Sequence, residues 1–144
     1  MFLILLISAG TLLSSLVCFA AATAVVVRTV VRLAPAGHDD LGFWKSVGVM
    51  MIVTLTTGVM HLSEICLWAI VYLQCGEMAT FETAFYFSAQ NYTALGYGDL
   101  TLPERWRLLG PLEAINGLLL IGLSTAGLFV ILNRLVPPRL RCEA

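Results

Sequence analysis

The chain has 144 residues, 59% of them hydrophobic and only 12% charged, against roughly 45–50% and about 25% in an ordinary soluble domain. So few charges cannot cover a solvated globule, and the apolar excess excludes disorder. A net charge of −1 with eight Lys and Arg argues against a nucleic-acid partner and leaves one membrane-embedded domain.

A helix needs about 20 mostly apolar residues to cross a hydrocarbon core of ~30 Å. Met1 to Val27 carries no charge before Arg28, which predicts a first spanning helix within residues 1–33. Small residues around Cys18 to Ala22 loosely resemble a signal-cleavage region. No positive segment precedes them and the apolar run continues to Val31, so a retained helix is favoured. Residues 34–42, around His38, form a short loop. The second span is Phe43 to Leu73, interrupted by Lys45, His61 and Glu64. The third is Ala114 to Asn133, between Glu113 and Arg134.

The fold class expected is therefore an all-α membrane protein with three transmembrane helices. Arg28, Arg32 and Lys45 flank the first connection, and Arg134, Arg139 and Arg141 follow the third helix, whereas only Arg105 and Arg107 lie between the second and third. Positive residues favour the cytoplasmic side. The N-terminus is expected outside, the tail at 137–144 inside, and Gln74 to Trp106 facing outward in a plasma or inner membrane.

Thr80 to Tyr92 reads as a short helix, with Thr80 as N-cap and Glu82 beside the positive end of its dipole. Its aromatic residues Phe81, Phe85, Tyr86, Phe87 and Tyr92 make it apolar, and a run too short to span suits a re-entrant segment. The chain then turns through Thr93-Ala94-Leu95-Gly96-Tyr97-Gly98-Asp99. Irregular backbone at membrane depth is tolerated where protein buries it or it lines a water-filled path. Two glycines flanking a tyrosine permit backbone angles that a Cβ would disfavour, so that successive carbonyls can face one way. Rings of such carbonyls can replace the water around a cation.

On Gly96-Tyr97-Gly98-Asp99, with Ser88 and Thr93 upstream and Trp106 downstream, Phe43 to about Leu135 resembles the pore module of the potassium-channel superfamily. The resemblance gives residues 43–136 the role of an ion-channel pore module. It implies a homotetramer in the lipid bilayer that conducts K+ passively, with K+ held by the carbonyls of Ala94, Leu95, Gly96 and Tyr97 and with Gly98 at the outer mouth. It puts Asp99 behind the mouth, supported by Gln90 and Tyr86. Ala94 departs from the family pattern, where a threonine is common, and Leu95 stands where valine is usual. The loss of hydroxyl oxygens at Ala94 leaves a weakly selective cation channel as an alternative.

Thr101-Leu102-Pro103-Glu104 fits a capping box that would start the third helix before Trp106 and put a kink at Gly110-Pro111; alternatively Pro111 opens the helix. Gly117 or Gly122 is a candidate hinge, and close packing at small residues is the other reading. Glu113 is expected near the rear of the filter. His61 and Glu64, three apart on one helix face, are expected to hydrogen-bond, and all three are candidate modulatory groups because intramembrane ionisable residues are costly.

Cys18, Cys66, Cys75 and Cys142 lack metal-ligand spacing. Arg28 and Arg32 sit at a helix end, unlike an Arg-rich voltage sensor. The tail after Pro137-Pro138 is expected to be too short for a ligand-binding domain. With no phosphate loop, GxSxG or HExxH, an enzyme and an enzymatic cofactor are not expected. The competing class is a non-conducting accessory protein or small membrane enzyme using His61, Glu64 and Glu113.

Overall fold

Apolar runs without Pro or charge propagate as helices in a bilayer, where every backbone polar group must be satisfied within its own segment. The computed structural model describes residues 2–33 and 42–135. It contains α1 (Phe2–Leu33), α2 (Phe43–Gln74), α3 (Phe81–Tyr92) and α4 (Leu109–Leu135), and no strand among the described residues. The first, second and fourth are long and apolar enough to cross a membrane; the third, at 12 residues, is not. The 34–41 part of the loop, and the tail with Pro137, Pro138, Arg139, Arg141 and Cys142, lie outside the described residues.

Helix α2 stops where Gly76 takes a φ of 75° and its N–H bonds the Leu73 carbonyl at 3.0 Å, the left-handed glycine stop of many helices. Thr80 then caps α3, accepting a hydrogen bond from the Thr83 N–H at 3.2 Å. The short helix packs against both α2 and α4.

The start of α4 corrects the capping-box expectation. Residues 101–103 are irregular and 104–108 form turns, held by Trp106 N–H to the Pro103 carbonyl (2.8 Å) and Leu109 N–H to the Trp106 carbonyl (2.9 Å). The helix opens at Leu109. Pro111 thus falls in the first turn, where backbone N–H groups have no intrahelical partner to lose, and the helix needs no kink there. Trp106 lies before the helix, buried with Trp68, Tyr72, Phe87 and Leu109 in the main apolar core. A second cluster, Val30 of α1 with Val49 and Val53 of α2, packs α1 against the far end of the bundle.

Candidate ion-conducting site

The end of α3 determines the path of the loop after it. Thr93 caps the helix with its N–H on the Ala89 carbonyl (3.2 Å), and its hydroxyl donates to the same carbonyl at 2.7 Å. Ala94 N–H then bonds the Asn91 carbonyl (2.8 Å), while Leu95 and Gly96 N–H both reach the Gln90 carbonyl (2.9 and 3.3 Å). Beyond this the backbone alternates. Ala94, Gly96 and Gly98 have φ of 55°, 54° and 76°, whereas Leu95 and Tyr97 do not enter the positive region. Sequence reasoning assigned positive φ to the two glycines and missed Ala94, whose methyl makes the left-handed conformation cost roughly 1–2 kcal/mol. Within one chain, residues 93–99 are exposed, Tyr97 to 68%.

Asp99 is held by two side chains of α3. Its carboxylate accepts from Gln90 Nε2 at 3.0 Å and from the Tyr86 hydroxyl at 2.8 Å. Those two hydrogen bonds, the Gln90 bond first, keep the carboxyl below its ordinary pKa, since donors to a carboxylate favour its charged form. Gln90 and Tyr86 are four apart on α3, so one helix face supplies both donors.

A buried polar layer lies between α2, α3 and α4. Glu113 of α4 is fully buried; its Oε1 is 2.5 Å from the Ser88 hydroxyl of α3 and its Oε2 accepts from Tyr72 of α2 at 2.5 Å. The Ser88 hydroxyl also lies 2.8 Å from the Ile65 carbonyl. Glu113 of α4 therefore joins α2 and α3 through one buried carboxylate.

His61 and Glu64 do not bond each other. His61 Nδ1 lies 2.8 Å from the Tyr92 hydroxyl, and Glu64 accepts from Ser15 of α1 at 2.5 Å. Each side chain on this face meets a different neighbouring helix, and the tertiary partners displace the local one. Sequence reasoning overlooked Ser15, Tyr72 and Asn116; polar side chains within otherwise apolar spans were the signal, because such groups face the bundle interior.

Gly117 is a contact glycine. A Cβ there would collide with the Tyr92 carbonyl, so α4 crosses the end of α3 at backbone distance. Gly122 has open space around it. Among the described residues no cluster of His, Cys, Asp or Glu could hold a metal ion, and Cys18, Cys66 and Cys75 are free.

Two spanning helices cradling a short re-entrant helix and a Gly-Tyr-Gly-Asp loop define a pore module of the potassium-channel type. Residues 60–134 match the family model described as "Ion channel"; the match takes in more than half of the chain, which belongs to that family. The chain is also similar to the inward rectifier potassium channel Kirbac3.1 of Paramagnetospirillum magnetotacticum, at 35% identity over 96 residues, or 62% of this chain and 30% of the relative. It thus spans less than a third of that relative's length. No solved structure gives a significant match. The protein is a multi-pass membrane protein of a channel family rather than of an enzyme family.

Proposed function

We propose that the protein is a potassium-selective channel in which four copies surround one axis and each contributes residues 94–98 to a carbonyl-lined filter. The observation that carries this reading is the alternation of backbone hand at Ala94, Gly96 and Gly98. Alternate left-handed residues let successive carbonyls face the same side, and stacked carbonyls can substitute for a cation's hydration shell. The exposure of the whole loop in one chain supports assembly: irregular backbone is stable at membrane depth only when buried in protein or lining an aqueous path. The named relative is a potassium channel, which favours K+ over other cations.

In this reading Ala94, Leu95, Gly96 and Tyr97 supply the ion-binding carbonyls, Gly98 forms the outer mouth, and Thr93, Asp99, Gln90 and Tyr86 brace the loop. The N-terminus and the 74–106 segment face outward and the C-terminus faces the cytoplasm of a plasma or inner membrane. Gly122, with open space around it, is the better hinge candidate; Gly117 is committed to Tyr92. His61, Glu64 and Glu113 act on the pore through the scaffold rather than on the ion path.

Potassium flux into liposomes containing only the purified protein tests this. The reading expects flux that needs no substrate and collapses in Gly96→Val, because a β-branched side chain at φ 54° is a severe outlier. Unchanged flux in Gly96→Val would remove this loop from the ion path.

A further inference from the structure

Helix α1 precedes the residues matched by the channel family, which begin at residue 60, yet it reaches the module through buried polar contacts. Ile4, Ser8, Thr11 and Ser15 recur every three or four residues along one face, and all are buried. Only Ser15 bonds across helices. Its hydroxyl donates to Glu64 Oε2 of α2 at 2.5 Å and accepts from Asn116 Nδ2 of α4 at 3.1 Å. Ser15 is 0% exposed, and Glu64 and Asn116 are each 1% exposed. At membrane depth no water replaces a lost partner, so an intramembrane carboxylate depends on its protein donors.

Both partners of Ser15 sit near a residue that touches Tyr92. Asn116 adjoins Gly117, which lies against the Tyr92 carbonyl. Glu64 is three residues from His61, whose Nδ1 is 2.8 Å from the Tyr92 hydroxyl. Tyr92 is the last residue of α3, immediately before the loop. Its two ends are therefore held by two helices, and Ser15 ties those helices together.

We infer that Ser15 is a positioning residue for the filter, and that α1 is a third support of the pore helix, acting through Glu64 and Asn116 on Tyr92. This inference rests on the potassium-channel reading above. A displacement of Tyr92 is passed directly to Thr93 and Ala94, so loosening the Ser15 junction alters the carbonyl spacing on which ion discrimination depends. The coupling passes through contiguous hydrogen-bonded and packed groups, of the kind whose mutation changes a remote site modestly.

The test is the K+/Na+ permeability ratio of the full chain in liposomes, read from reversal potentials for wild type, Ser15→Ala, Asn116→Ala and the double variant. Each single variant should lower the ratio about threefold or more, and the double variant should fall no further than the worse single, because the residues act in one junction. Thr11→Ala is the control. It removes a hydroxyl from the same face of α1 that bonds only its own helix, at the Ile7 carbonyl (2.8 Å), and should leave the ratio unchanged. If Ser15→Ala does not assemble, Asn116→Ala decides, since it cuts the link to α4 while keeping the bond between Ser15 and Glu64. Lower melting temperatures with an unaltered ratio would make the junction merely structural and overturn the inference. A wild type that carries no potassium would instead overturn the functional reading on which it rests.

Discussion

Asp99 remains a carboxylate because two donors on one face of α3 hold its charged form. Its pKa in the folded chain lies below that of an unfolded chain. The resulting stabilisation is present above the ordinary carboxyl value of about 4 and is lost as pH falls through the depressed folded value. The contribution of Asp99 to bracing the loop should accordingly persist from neutral pH to roughly 4 and be lost only in stronger acid, where potassium flux then fails. Tyr86→Phe removes one donor and should move that acid limit upward; an acid limit indifferent to Tyr86→Phe would mean that Asp99 does not brace the loop. Gly117→Ala should disrupt the pore module by forcing α4 away from the Tyr92 carbonyl, lowering the melting temperature, whereas Gly122→Ala, with no atom within 4 Å, should not. The partners of Asp99 were legible only through the resemblance, which put Gln90 and Tyr86 at the supporting positions of the short helix. The partners of His61 and Glu64 were not legible. Spacing along one helix suggests a local pair, whereas the observed partners, Tyr92 and Ser15, come from helices whose packing no single-helix periodicity specifies. Ala94 was hidden for another reason: an alanine gives no local signal for a left-handed backbone, which the surrounding loop imposes.

The elements themselves were readable wherever composition alone decides them. Long, predominantly apolar runs marked α1, α2 and α4, and the Thr80 cap with Glu82 marked the start of α3. Thr80→Ala should cost about 0.5–2 kcal/mol, seen as a lower melting temperature with the three spanning helices intact by circular dichroism. A melting temperature equal to wild type would show that burial between α2 and α4 alone holds α3 in place. The start of α4 was ambiguous because two valid local signals compete, a capping box at Thr101–Glu104 and a proline at Pro111. The apolar core decided between them. Burying Trp106 with Trp68 and Phe87 requires turns through 104–108, and the regular helix begins only where Leu109 enters the same core.

At the scale of the whole molecule, one chain leaves the loop at 93–99 exposed, with Leu95 and Tyr97 presenting 56% and 68% of their surface. A homotetramer is therefore expected, which native mass spectrometry in mild detergent would register as a fourfold mass; a monomer alone would contradict it. Such an assembly was legible only through the resemblance, since periodicity within one chain carries no count of its copies. Selectivity rests on the carbonyls alone at Ala94, which lacks a threonine hydroxyl. The most direct measurement is the reversal potential of wild-type protein in a planar bilayer with potassium on one side and sodium on the other. A potassium-selective filter gives a reversal potential that follows the potassium gradient and shifts as potassium alone is varied. A reversal potential near zero, unmoved when sodium replaces potassium, would show that the carbonyl loop does not discriminate between the two ions.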